Sequence, residues 1–385
     1  MDRTLLLAAL ILCTAATTAA TTAAAIAETD KNLTSRQPSW STAAEESDLL
    51  PPDSTVSDSD GGFSSMDSML HWAISHSDPE KLKESAIAQS HERLSPTELQ
   101  KSQIEIKELM EKTRMFSDFE LMKIAITDLN NVSTSLEDRY RALLELLELV
   151  EPLNNANDLN KLGGLSALKR ELNHYDSGIR ALAAWVLGKA SQNNPTFQQQ
   201  VLELGVLSRL ISMVNSDSIE EGIKALYAVS ALIRNNLASQ ELFYAEAGGL
   251  MLQDILRNAS VDIKLRRKAV LLLTDLAEYQ LENIDKDEPP FFNDKDLLKS
   301  VVDLTASSDL DLQEKALVAI KNLLQLKTTE ARVFRDFCAL GDALNRMKQL
   351  LHDLMADEDQ KDYVMDVENV RIDVEHIFNR KLVKQ

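Results

Sequence analysis

Five stretches of the chain share one pattern of apolar and polar positions. They are RALLELLELVE from Arg141, RALAAWVLGKA from Arg180, KALYAVSALIR from Lys224, KAVLLLTDLAE from Lys268 and KALVAIKNLLQ from Lys315. Each opens on a basic residue and an alanine, and apolar residues then recur in steps of three and four. In the third copy Ala225, Leu226, Val229, Leu232 and Ile233 fall on one face at the 3.6-residue period, which predicts an amphipathic helix. The basic anchors are 39, 44, 44 and 47 residues apart. A helix written five times at near-constant spacing cannot bury its apolar face alone, so stacking against its copies would make one continuous core.

The clearest unit predicts three helices. Asn194 precedes Pro195-Thr196-Phe197 as a cap, and this first helix runs to Leu204-Gly205. VLSRLISMVNS is the second helix, and Ser218 to Asn236 the long third. Gly163-Gly164, Gly205 and Gly248-Gly249 punctuate corresponding points, where glycine would supply a positive φ. Three helices per 40–47 residues predict an all-α, armadillo-like helical-repeat solenoid over 135–341. Residues 66–134 are expected as an N-terminal helical cap. Helix starts are marked there by Ser77-Asp78-Pro79-Glu80 and Ser95-Pro96-Thr97-Glu98, and by a capping box at Ser117-Asp118-Phe119-Glu120. The more charged residues 342–385 are expected as a C-terminal helical cap.

Composition adds compartment and exclusions. The chain has 385 residues, 26% of them charged, and a net charge of −20 that argues against nucleic acid as a partner. Residues 1–27 read as a secretory signal peptide, with one Arg, an apolar run from Leu5 to Cys13 and a small-x-small site at Ala25-Ile26-Ala27. No later stretch reaches membrane length without charges, so no membrane insertion is expected after the signal is removed. Residues 28–65 hold eight acidic and two basic residues and are expected to be disordered. Asn32, Asn131 and Asn258 open glycosylation sequons. Once the signal leaves, Cys338 is the remaining cysteine, so no internal disulfide is expected; its apolar neighbours predict a buried thiol.

No P-loop, GxGxxG, GxSxG or HExxH is present, and the six histidines form no Cys/His cluster, so neither a catalytic constellation, a metal nor a cofactor is expected. A superhelical stack instead offers a long concave surface. Projecting the repeat register onto it gives Gln192, Asn193, Asn194, Lys224, Tyr227, Arg234, Asn235, Lys268, Asp275, Glu278, Tyr279, Lys315 and Asn322 as an exposed mixed polar ladder, suited to a folded polar partner.

LHWAISHSDPEKL (70–82), AAWVLGKASQNNP (183–195), ELGVLSRLISMV (203–214) and KALYAVSALIRNN (224–236) together resemble the Fes-type armadillo nucleotide exchange factors of heat-shock-70 chaperones, over about residues 66–345. The resemblance implies a monomer that wraps the chaperone's nucleotide-binding domain and promotes ADP release without covalent chemistry. The signal peptide points to an endoplasmic-reticulum member of the Sil type acting on a lumenal, BiP-type chaperone; the chain ends LVKQ rather than in a KDEL-type retrieval signal. The competing expectation is an armadillo adaptor or scaffold that binds another protein or peptide and leaves nucleotide turnover unchanged. Peptide-binding carriers use a repeated Trp and Asn ladder, whereas Trp185 is the one Trp of the repeats here, with Lys189 four residues on.

Overall fold

The computed structural model describes residues 116–283, 285–355 and 360–384, together with Lys101. The expected signal peptide, the acidic segment, the Asn32 sequon and the helix starts near Pro79 and Pro96 lie outside these residues. Among the described residues the secondary structure is helical, without strands.

Sixteen helices run in order from Ser117 onward. The first layer holds α1 (Asp118–Asn130) and α2 (Leu136–Leu149). The second holds α3 (Leu153–Lys161), α4 (Gly164–Glu171) and α5 (Ser177–Ser191). The third holds α6 (Pro195–Glu203), α7 (Leu207–Val214) and α8 (Ile219–Ile233). In the fourth come α9 (Leu237–Ala245), α10 (Gly248–Arg257) and α11 (Ile263–Glu282). The fifth has a 3-10 turn at Pro290–Asn293, then α12 (Lys295–Asp303) and α13 (Leu310–Gln325). α14 (Ala331–Asp336), α15 (Leu340–Leu354) and α16 (Lys361–Lys384) close the stack as a sixth layer. The expected start of the C-terminal cap at residue 342 falls in the first turn of α15.

Local chemistry explains where the helices begin. Ser117 and Glu120 form the predicted capping box. Asp176, Asn194, Ser218, Asn236, Asp262, Asp294 and Asp309 each accept a backbone N–H in the first turn of the helix they precede. The turn between first and second helix repeats one geometry. Its left-handed residue is Gly163 (φ 79), Gly205 (φ 69), Ala247 (φ 63) and Ala339 (φ 54) in layers two, three, four and six. Gly248 and Gly249, expected to supply that conformation, lie just after it. They admit close packing instead, because a Cβ would stand 2.2 Å from the Phe243 ring at Gly248 and 2.7 Å from the Phe291 ring at Gly249.

The third helices α2, α5, α8, α11, α13 and α16 stack in sequence, with α5 on α8 and α11 on α13 the most extensive contacts. One apolar core runs through all layers, from Met122 to Phe378. The face predicted for α8 is fully buried, with Ala225, Leu226, Val229, Leu232 and Ile233 all at 0% exposure. Cys338 is buried as expected, and burial pushes its thiol up to about 11.

Polar staples register the layers. Arg139 pairs with Glu171 at 2.8 Å and Arg180 with Glu221 at 2.6 Å. Tyr140 donates to Asp176 (2.7 Å), Arg209 to the Leu172 carbonyl (3.0 Å) and Gln198 to the Ala231 carbonyl (2.8 Å). These partners lie 32 to 41 residues apart, about one repeat.

Candidate functional site

Stacking the third helices places one basic residue per layer at the same register: Arg141, Arg180, Lys224, Lys268 and Lys315. Their surroundings differ. Arg141 is exposed beside Asp138. Arg180 is committed to Glu221 and to the carbonyls of His174 and Tyr175. Lys224 pairs with Glu220 one turn back, and its ammonium lies 4.4 Å from the centre of the Trp185 ring on the previous layer. Lys315 pairs with Asp311, again one turn back. Lys189 reaches Glu151 at 3.8 Å.

The exposed polar ladder expected here is corrected in the middle layers. Lys224, Tyr227, Lys268, Asp275 and Asn194 are buried. From Glu221 to Ile233, α8 has no residue outside the buried class. A middle third helix is enclosed by the layers on both sides as well as by its own unit, and helical periodicity registers only the apolar stripe. Tyr227 shows the reason most directly. Its ring wedges against Gly188 of α5, where a Cβ would stand 2.7 Å from the ring, and its hydroxyl accepts a hydrogen bond from Gln192. Asn194 is the N-cap of α6, accepting from the Phe197 N–H at 3.1 Å.

The remaining expected residues border the solvent. Asn193 and Asn235 are exposed and hold φ of 51° and 52°, the left-handed links between one unit's third helix and the next unit's first. Asparagine tolerates this region better than other non-glycine residues. Gln192, Arg234, Tyr279, Lys315 and Asn322 are half-buried and Glu278 is exposed. Lys286 lies 5.5 Å from the centre of the Tyr279 ring. What the structure brings together is therefore a mixed rim of amides, aromatic rings and charges beside a row of cations that is enclosed at Lys224 and Lys268.

The repeat register alone missed the opening of α11. Lys264, Arg266, Arg267 and Lys268 put four cations in five positions, with no acidic residue in the first turn. Arg267 reaches across to layer five, holding Asp309 and, at 2.9 Å, Asp311. Burial pushes the Asp309 carboxyl up, but the Arg267 hydrogen bond and the Leu312 N–H pull it down by more, leaving it below the usual carboxylate range. The signal was present in the sequence as the run KLRRK.

Asn131 and Asn258 are exposed helix C-caps, and in both sequons the Asn Oδ1 accepts the N–H of the serine two residues on at 3.0 Å. Among the described residues no cluster of His, Cys, Asp or Glu could hold a metal ion. No helix among them is long and apolar enough to cross a membrane.

The stacked three-helix layers define an armadillo-type solenoid. Solved structures agree on the fold: an engineered protein matches with a TM-score of 0.51 at 18% identity, covering 67% of this chain and 98% of that one. A designed armadillo repeat protein in complex with the peptide (KR)4 matches at 0.50 and 18% identity, covering 67% and 99%.

Residues 155–369 match the model of the SIL1/FES1/HPBP1 C-terminal domain, and residues 66–159 that of the nucleotide exchange factor Fes1. The chain belongs to the SIL1/FES1/HPBP1 family. It is similar to the nucleotide exchange factor SIL1 of Xenopus laevis, 27% identical over 63% of this chain and 56% of that one, and to SIL1 of Mus musculus, 26% identical over 60% and 53%. It is also similar to the Hsp70 nucleotide exchange factor FES1 of Coccidioides immitis, 31% identical over 46% of this chain and 81% of that one. The chain thus spans about half the length of the SIL1 relatives it matches.

Proposed function

We propose that this protein is a nucleotide exchange factor that binds the nucleotide-binding domain of a heat-shock-70 chaperone and promotes ADP release. The observation that carries this reading is the family match running from residue 66 to residue 369. It spans the third helices from α2 to α13 and reaches into α16. The mechanism is differential binding. The solenoid holds the open conformer of its partner more tightly than the closed, nucleotide-loaded one, and the difference in affinity shifts the equilibrium. A rigid binder suits this role. The continuous core and the interlayer staples fix the rim in one shape, so little ordering free energy is lost on binding. No covalent step is involved.

The leader-like residues 1–27 and the similarity to SIL1 proteins support a place in the endoplasmic-reticulum lumen, with a BiP-type chaperone as partner. The protein acts as a monomer, and exposed Asn131 and Asn258 are its glycosylation sites.

The test follows release of fluorescent ADP from a lumenal heat-shock-70 chaperone by stopped flow, with residues 28–385 added in increasing amounts. A saturable acceleration is expected, weakened at least tenfold by the double charge reversal Arg234→Glu and Lys315→Glu at the rim, about 1.4 kcal/mol in binding. Tight binding with unchanged release would replace this reading with the scaffold alternative. Absence of binding would remove both.

A further inference from the structure

Where α13 ends against the last turns of α16, a cleft of about 390 Å³ opens. Lys327, Arg380, Lys381 and Lys384 line it, and among the described residues no acidic side chain does. Leu324, Leu326 and Ile377 give it an apolar wall. Four cations thus share one small cleft in a chain whose net charge is −20.

Helix capping accounts for one of the four. Lys381 crosses from α16 to the end of α13 and donates to the carbonyls of Leu324 (2.8 Å) and Leu326 (2.6 Å) and to Thr329 Oγ1 (2.9 Å). Its three hydrogens are spent on neutral oxygens, which satisfies the helix end but leaves the charge uncancelled. Burial pushes this ammonium down to about 8, against the opposing pull of Glu288. Both Glu288 oxygens are already engaged, accepting from the Lys327 and Thr328 N–H groups and the Thr328 hydroxyl. Arg380 and Lys384 are exposed, and neither forms an ion pair among the described residues. One carboxylate against four cations leaves the cleft strongly positive.

The Debye length is about 10 Å at about 0.1 M salt. An anion in the cleft therefore responds to these cations and little to the acidic body of the protein. An extended acidic peptide suits the site. It brings closely spaced carboxylates to the two exposed cations and can lay its methylenes along the apolar wall. A flat anionic membrane suits it poorly, because such a surface also faces the rest of a protein of net charge −20. The cleft lies at the C-terminal end of a third helix, as the rim residues Asn193 and Asn235 do.

We propose that this cleft is a docking site for an acidic peptide segment of a partner protein, whose carboxylates are held by Arg380 and Lys384. It is a second contact surface, and it does not depend on the third-helix face promoting ADP release.

The test is fluorescence anisotropy of a fluorescein-labelled hexaglutamate peptide titrated with the chain from residue 28 to 385 at about 0.1 M salt. Saturable binding is expected. The double variant Arg380→Ala, Lys384→Ala should weaken it about fivefold, the scale of two exposed ion pairs. Both side chains are exposed, so an unchanged Tm is expected and shows that the fold is kept. Lys123→Ala with Lys161→Ala removes the same charge from exposed positions in layers one and two and should leave the affinity unchanged. Absence of saturable binding, or an equal loss in the two double variants, would overturn the site. Inorganic phosphate and vesicles of phosphatidylserine in phosphatidylcholine serve as competitors at matched charge, and neither should displace the peptide. Displacement by either would overturn a peptide site in favour of a small-anion or lipid one. The chaperone takes no part in this measurement, so its outcome and that of the ADP-release assay are independent.

Discussion

Layers three and four are neighbours with the same three-helix plan, and their interfaces differ in how exposed the cross-layer charges are. Layer three joins layer two by shape. Gly188 lets α5 and α8 approach, the Tyr227 ring fills the contact, and at their edge Arg180 pairs with the buried Glu221. Layer four packs α11 on α13 through the same apolar core, but its cross-layer charges, Arg267 with Asp309 and Asp311, are about a quarter to a third exposed. Even the turn between first and second helix differs, with Gly205 in one and Ala247 in the other at the same left-handed conformation. Both interfaces share the apolar core and a cross-layer Arg–carboxylate pair; what differs is how far that pair is withdrawn from solvent.

The largest effect expected is at the shaped interface. Tyr227→Ala removes a fully buried ring and should destabilise the protein by about 3–5 kcal/mol in urea unfolding. Tyr227→Phe, which keeps the ring and loses the bond from Gln192, should cost about 1 kcal/mol. Equal losses for the two would mean that the hydroxyl, not the shape, holds α5 on α8. Next comes Glu221→Ala, which strands Arg180 in a mostly buried position and should cost about 3 kcal/mol. At the charged interface Arg267→Met should cost no more than about 1 kcal/mol, since the pair is partly solvated. A loss as large as that of Glu221→Ala would erase the contrast between the layers. Ala247→Gly should stabilise by about 1 kcal/mol, because glycine adopts φ 63 without a Cβ penalty; the change would be read as a raised Tm.

Acid sharpens the same comparison. The Asp309 carboxyl is held below its ordinary value in the folded protein, so its contribution is complete above the unfolded pKa of about 3.9 and is lost as pH falls through the folded one. Amide exchange in α13 should therefore accelerate below about pH 4 in excess of that in α8, and Asp309→Asn should remove the excess.

Much of this was legible from residues alone, for identifiable reasons. The repeat period, the third helices and the Ser117 capping box are local, and each is encoded within a few turns of chain. The apolar stripe of α8 follows from the 3.6-residue period and is buried as expected. The candidate site was only partly legible. Asn193 and Asn235 do reach the rim, although their immediate role is the left-handed link. Lys224 and Tyr227 sit opposite the stripe on a helical wheel, but the ring beneath Lys224 belongs to the previous layer, 39 residues back, and so does the glycine beneath Tyr227.

The sequence by itself determined that the chain is a stack of three-helix units and where most helices begin, because apolar periodicity and caps act over distances of one or two turns. Only the tertiary structure decided which polar residues meet solvent. Enclosure of a third helix depends on the layers before and after it, and the spacing between them is fixed by contacts such as Gly188 against Tyr227 that no single repeat contains. It also decided that Ala247 and Ala339 take the left-handed turn that Gly163 and Gly205 take elsewhere, since helix packing imposes that conformation whichever residue stands there.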